Sequence, residues 1–525
     1  MMGRLKRWWG WWKARELNPV VVKELRQAVR SWAVTSVLLL FLAVLFVAML
    51  GFLISQSFGA GLDTQLGARV FQSLVVILTG ASMLFIPLYV GVRLAAERRE
   101  SDLDLMYITT LTPGRIIRGK FLSGAYMAVL FFSACMPFMV FTNLLRGVDL
   151  PTIFLILLCL FLAVCAAVQL AIFLACLPVS RVFKNLLALA ATVFMLFFIG
   201  PLVVLFLQMT SSGVGSRFIV GASGPNLWPG VLSTVALVLA AVGLLYFLSV
   251  ALVSPVTANR ALPLRSYISV VWLLSGAASF WWVWKQRDAR MLLPWATNFL
   301  FGLSLALAVV VSSRDRLSYR VRRRIPIHPM KRAVAFLFFN GAAGGLLWAG
   351  LLLGATFAVV VAVLHRSVPG MAAFSTLAVD DLHNFDVTTG AVLLYALAYA
   401  LTALFIHRRW LSRRTSRLAG VLTILLPAVW AILPSIVYFL FNRLSWQSVE
   451  GLQVGNVFNL LFLVKDETDR MLHVYFAAGW LALVLVLNLR WFARQLQCFQ
   501  PPGPAEAPPV ITGPDPSPAT GAGPG

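Results

Sequence analysis

Long apolar runs alternate along this chain with short charged or polar interludes. A helix needs about twenty apolar residues to cross a bilayer, and twelve runs of that order can be read. In the first half they are Trp32–Leu53, Val70–Val92, Phe121–Leu145, Pro151–Leu177, Leu186–Leu207 and Val231–Val253. In the second half they are Tyr267–Trp284, Leu292–Val311, Gly341–Leu364, Thr388–Ile406, Leu418–Phe441 and Leu472–Leu489. The pattern predicts an all-α, polytopic integral membrane protein with about twelve transmembrane helices in two six-helix halves, 32–253 and 267–489. A connector, 254–266, joins the halves. An amphipathic segment, 1–31, precedes them and a tail, 490–525, follows.

Composition supports this reading. Of 525 residues, 60% are hydrophobic and 12% charged, against about 25% charged in soluble domains, and mean hydropathy is +0.87. The net charge of +24 would suggest nucleic acid in a soluble chain, but its distribution points elsewhere. With the N-terminus in the cytosol, most Lys and Arg fall on inner segments, the bias expected when both termini are cytosolic. The expected setting is the inner or plasma membrane, with anionic lipid heads and a cytosolic protein facing the basic charge and no nucleic acid. The outer loop carrying Lys285, Arg287 and Arg290 beside Asp288 runs against the bias, so the pair of spans across 267–311 is the exception. All Lys, Arg, Asp and Glu lie outside the twelve runs. Ion-coupled pumps place ionisable groups within the membrane, so energy is expected from another subunit.

The stretch that organises the chain is the charged loop Arg93 to Lys120, between the second and third runs. It reads RLAAERRESDLDLMYITTLTPGRIIRGK. Its first half suits an amphipathic helix at the membrane surface. Thr110-Leu-Thr-Pro-Gly then reads as a turn into a short basic helix, Arg115 to Lys120. The loop resembles the one following the second span in permease subunits of type-2 ATP-binding-cassette (ABC) exporters. Glu97, Arg99, Glu100, Leu103, Leu105, Thr112, Ile116, Gly119 and Lys120 fit that pattern. Ser101 stands for its glycine and Asp104 for its second glutamate. Upstream, Asn18-Pro19-Val-Val-Val-Lys23-Glu24-Leu25-Arg26 resembles the elbow helix before the first span of the same family.

The resemblance implies a permease moving a substrate outwards, powered by a separate cytosolic ABC ATPase in two copies that holds the ATP and Mg; this chain itself carries no cofactor. It also implies that Glu24, Glu97, Arg99, Glu100, Leu103, Asp104, Leu105 and Thr112 couple the permease to that ATPase. Whether one chain forms the pathway or a homodimer does is open. The chain is not expected to be an enzyme. The alternatives are a non-transporting membrane scaffold or regulator, and a membrane-embedded lipid or glycosyl transferase.

Other signals weigh less. Gly114 to Lys120 spells the start of a phosphate-binding loop, but Phe121 replaces the Ser or Thr that motif needs and no strand precedes it. Asp380, Asp381, His383 and Asp386 cluster in the outer loop His365–Gly390, where a divalent cation or acid–base chemistry is conceivable; an exposed polar loop needs neither, and no metal is expected. Arg314 to Arg332 is the strongest basic patch, read as a positive-inside stop on acidic lipids or a docking surface. Gly341/Gly345 and Gly350/Gly354 form two G-x-x-x-G pairs that predict close helix packing. Trp8, Trp9, Trp11 and Trp12 among basic residues suit an interfacial anchor. The basic start and full-length first span read as an anchor that is not cleaved. Cys135, Cys159, Cys165 and Cys176 fall in spans and Cys498 in the tail, without metal spacing. The Pro-, Gly- and Ala-rich end after Gln500 is expected to be disordered.

Overall fold

The computed structural model describes residues 19–58, 66–97, 112–145, 148–177, 181–211, 227–255, 257–286, 292–313, 317–365, 379–412, 416–441, 454–462, 464 and 466–502. The tryptophan-rich start and the Pro/Gly-rich tail lie outside them. The described residues are overwhelmingly helical and contain no strand. Eleven of their helices are long and apolar enough to cross a membrane. The chain is therefore an all-α, multi-pass membrane protein. It divides into two compact units, Met1–Pro255 and Val256–Gly525.

The first unit holds α1 (Pro19–Val29), α2 (Trp32–Phe58), α3 (Leu66–Glu97), α4 (Pro113–Leu144), α5 (Leu150–Cys176), α6 (Arg181–Ser211) and α7 (Leu227–Val253). Its core runs along α3, α4 and α5 through Phe71, Leu74, Leu78 and Ile86, Phe131 and Cys135, and Ile156, Leu160 and Val168. Gly124 permits the closest approach: a Cβ there would lie 2.7 Å from Cγ1 of Val168 and 3.3 Å from Cγ2 of Val90. Buried hydroxyls turn back on their own helix, Thr79 to the Val75 carbonyl (2.7 Å) and Ser82 to that of Leu78 (2.6 Å), leaving no polar demand in the apolar core. Two helices outrun their apolar runs. α3 continues past Val92 to Glu97, and α4 joins the basic turn and the third run into one helix of 32 residues, about 48 Å at 1.5 Å per residue.

The second unit holds α8 (Ala261–Gln286), α9 (Leu293–Val311), α10 (Tyr319–Arg322), α11 (Pro329–Phe338), α12 (Ala342–His365), α13 (Val379–Trp410), α14 (Arg417–Phe441), α15 (Val457–Phe462) and α16 (Glu467–Cys498). The twelfth apolar run forms α14, a helix of 25 residues with Pro427 and Pro434 inside it. α13 packs on α16 and α14, and α9 on α12. Tryptophans of α8, α9 and α12 satisfy their indole N–H groups on neighbouring hydroxyls: Trp272 on Thr356 (2.8 Å), Trp295 on Ser275 (3.0 Å) and Trp348 on Ser269 (2.9 Å). One of these bonds, Trp295 to Ser275, joins α8 to α9, the pair that opposed the charge bias, and the other two join α8 to α12.

The glycine pairs behave unequally. Gly341 has φ +140° and lies in the break before α12 rather than on it. Gly345 is closely approached by Arg265 and Val310, whereas Gly354 has open space around it.

Between α14 and α16 the chain re-enters the unit. α13 and α16 run in the same direction, paired at His383–Glu467 (3.2 Å), Tyr395–His473 (3.0 Å) and Arg408–Asn488 (2.9 Å). Gly455 sits at the Tyr395 level: its N–H donates to the Tyr395 hydroxyl (3.1 Å) and its carbonyl accepts from Tyr399. Trp430, midway along α14, donates to the Val454 carbonyl (3.1 Å). Tyr395 is twelve residues beyond His383 on α13 and its partner His473 six beyond Glu467 on α16, so this turn lies about 9–18 Å deeper than the His383–Glu467 contact. Backbone that dips among membrane helices must find protein partners for its polar groups, and Tyr395, Tyr399 and Trp430 supply them.

Candidate functional site

The elbow segment forms α1 with Pro19 at its first position, where the missing N–H costs nothing. Val21, Glu24 and Ala28 share one face and are buried, and α1 packs chiefly against α4. The chain then breaks at Arg30–Ser31, and the Ser31 carbonyl accepts from Val34 (3.1 Å) and Thr35 (3.2 Å) to start α2.

Burying Glu24 requires a counter-charge, and two other helices provide it. Lys120, in the second turn of α4, donates from Nζ to Oε1 of Glu24 at 2.5 Å and to Oε2 of Glu97 at 2.6 Å. Its side chain is 3% exposed. Arg93, one turn before Glu97 on α3, places Nε 3.4 Å from Oε2 of Glu24. It also donates to the Tyr89 hydroxyl at 2.6 Å and to Oε1 of Gln27 on α1. Lys23 lies 3.7 Å from Oε1 of Glu97 on the wetter side. The result is an alternating row, Lys23–Glu97–Lys120–Glu24–Arg93, drawn from three helices. A cavity of about 10 Å³ beside Glu24, Arg93, Lys120 and Ser123 has room for about one water molecule.

This placement revises several sequence readings. Lys120, placed by the sequence in a short basic helix, is inside the continuous α4, and two carboxylates engage its ammonium. Glu24 points inwards rather than to water. The apolar runs exclude ionisable residues, but the helices that overrun them carry Arg93, Glu97 and Lys120 into the protein. Thr112 is the exposed residue that starts α4. Arg99, Glu100, Leu103, Asp104 and Leu105 lie outside the described residues.

Asp380, Asp381, His383 and Asp386 sit on the first turns of α13, not in a loop. His383 pairs with Glu467 at 3.2 Å. Among the described residues no group of three His, Cys, Asp or Glu is placed to hold a metal ion.

A second feature lies on the other side of α3 from the ionic row. α3, α5 and α6 enclose an apolar crevice of about 130 Å³. Pro87, Leu88, Gly91 and Ala95 line it from α3, Ala171 and Ala175 from α5, and Ala188, Ala191 and Met195 from α6. It approaches the size of a dry engineered cavity that accepts a benzene ring (about 150 Å³). Nothing in the apolar runs distinguished these alanines from ordinary packing. Arg93 and Tyr89 also escaped notice, although the spacing Tyr89–Arg93–Glu97 puts them on one helical stripe.

These features define a multi-pass helical membrane protein whose first unit gathers an amphipathic entry helix and two span ends around buried charge. In comparisons with known proteins, no family model, curated protein or solved structure matches the chain.

Proposed function

We propose that the chain is the transmembrane permease of a type-2 ABC exporter, moving a substrate across the membrane under power from a separate cytosolic ATPase. One observation carries the reading. Glu24 belongs to the stretch that resembles the family's elbow, and Glu97 and Lys120 to the loop that resembles its coupling segment. In the fold they meet within 2.6 Å. Segment 98–111 is bracketed by the end of α3 and the start of α4, both held by this cluster. A push on that segment reaches the elbow helix through Lys120. Glu24, being buried, contributes to coupling through Lys120 and Arg93 rather than by touching the ATPase.

The test is purification of the tagged full chain from its native membrane in mild detergent, followed by mass spectrometry. A stoichiometric ABC ATPase is the expected companion, and Glu100→Ala with Leu103→Ala should retain membrane insertion while lowering substrate-stimulated ATP hydrolysis at least tenfold. A chain that purifies without any ATPase, or variants that couple like wild type, would overturn the proposal.

A further inference from the structure

The basic hairpin of the second unit has two faces of opposite character. One face is pinned. Val321, Ile325 and Phe339 are buried with Phe499 from the end of α16. The Phe499 ring meets Phe336 and Phe339 edge-on at 5.2 and 5.5 Å. Arg265 holds the carbonyls of Leu337 and Phe339, each at 2.8 Å.

The other face is open. Arg320, Arg323, Arg324 and Lys331 are exposed, and no acidic residue occurs between Leu317 and Asn340. Beside them Ile327, Met330 and Val334 are 85, 73 and 59% exposed. Met330 and Val334 are one turn apart on α11 and share a face, and Ile327 is exposed in the bend just before that helix. The level in the membrane is set from both sides. The α9 span ends at Val311, shortly before α10, and the α12 span begins at Ala342, shortly after α11. The hairpin therefore occupies the membrane–water boundary.

We propose that this face is a binding surface for anionic phospholipids, with Ile327, Met330 and Val334 entering the acyl boundary and the four cations meeting phosphate headgroups. A rigid amphipathic element with a basic rim gains from both contacts, and neither is satisfied in plain water. An acidic soluble protein would match the cations but leave the apolar side chains in water. The proposal is independent of the transport reading, since it needs only the span ends.

The experiment uses the full chain in vesicles, with a nitroxide on Met330→Cys in a Cys498→Ser background. Accessibility to dissolved oxygen is compared with accessibility to a water-soluble nickel chelate. In phosphatidylglycerol-rich vesicles the label should be immersed, and in phosphatidylcholine alone it should shift towards water. Each surface cation is worth about fivefold in binding, so replacing Arg320, Arg323, Arg324 and Lys331 by Gln should abolish the difference between the two lipids. Raising salt to about 1 M, where screening falls to about 3 Å, should act in the same direction. A label that stays in water in both vesicles overturns the proposal and assigns the face to a soluble partner. Immersion independent of lipid charge and of the four Gln replacements overturns it too, leaving only apolar anchoring.

Discussion

Lys120→Met tests the ionic row most directly. Methionine keeps the length and apolar stem of the lysine and removes only the charge that lies 2.5 Å from Glu24 and 2.6 Å from Glu97. The two carboxylates then fare differently. Glu97 is 23% exposed and keeps Lys23 at 3.7 Å, so water and that lysine absorb much of its loss. Glu24 is buried and keeps only Arg93 at 3.4 Å. Leaving a buried charge without its close partner costs about 3–5 kcal/mol, and the remaining Arg93 argues for the low end. The cost falls on α1, whose attachment to α4 depends on the Glu24 face. At about 1.4 kcal/mol per tenfold, a loss of ~3 kcal/mol raises the population of detached α1 by about a hundredfold or more. Hydrogen exchange of the full chain in lipid nanodiscs reads this directly, as faster exchange of the α1 amides with the α5 core unchanged. Glu24→Gln together with Lys120→Met removes both charges, so its effect should be smaller than the sum of the single effects by at least ~1.5 kcal/mol. Unchanged α1 exchange in Lys120→Met, or strictly additive single effects, would refute the reasoning.

Other expectations follow from the packing. Tyr395→Phe removes the acceptor of the Gly455 N–H and the partner of His473, so exchange across 454–462 should accelerate by about five- to hundredfold, the equivalent of about 1–3 kcal/mol; equal protection in wild type and variant would show that the re-entrant turn does not depend on this hydroxyl. At Gly420 an added Cβ would collide with the backbone carbonyl of Ala308 and lie 3.1 Å from the Ser312 Cβ, so Gly420→Ala should lower the melting midpoint in detergent by the equivalent of about 1–3 kcal/mol. Gly354→Ala, at a helical site with open space around it, should be neutral or stabilising by up to about 1 kcal/mol, and a loss matching that of Gly420→Ala would contradict the packing described. Ala191→Phe fills the crevice between α3, α5 and α6; under the permease reading it should slow export severalfold while an ATPase still co-purifies, and unchanged export would remove the crevice from the transport path.

The apolar runs located the helices because burial in a bilayer depends on side-chain transfer, which is additive along the chain. Their ends were harder to read. Val92 ends the second run, yet α3 goes on to Glu97, because Arg93 and Glu97 find partners on α1 and α4 that a hydropathy sum does not include. Glu24 and Lys120 stand 96 residues apart, so their pairing left no local trace, and each alone reads as a surface charge. The mixed composition between the last two apolar runs carries no sign of a turn packed among helices. The dip at Gly455 rests on Tyr395, Tyr399 and Trp430, three aromatics that look like ordinary span residues until the helices are packed. The glycine pairs show the same limit. Spacing made Gly341/Gly345 and Gly350/Gly354 equivalent, and only the positions of Arg265, Val310 and the break at Asn340–Gly341 separate them.

Each unit contains a short amphipathic helix that turns into a span, and the turn exposes backbone and charge that a membrane cannot solvate. The second unit answers with Arg265, which is 4% exposed. Its guanidinium bonds the carbonyls of Leu337, Phe339 and Gly341 at 2.8, 2.8 and 3.1 Å, while Asn340 accepts from the N–H of Ala261 and donates to the Ala258 carbonyl. The planar fork of an arginine suits three fixed carbonyls. The first unit answers with side-chain charges on three separate helices, and there each acid has a second cation in reach: Arg93 for Glu24 and Lys23 for Glu97. Lys120 can move away from either carboxylate without leaving it unpaired. Loss of Lys120 therefore leaves each acid a longer pairing, at 3.4 Å to Arg93 and 3.7 Å to Lys23, which places its cost at the low end for a buried charge.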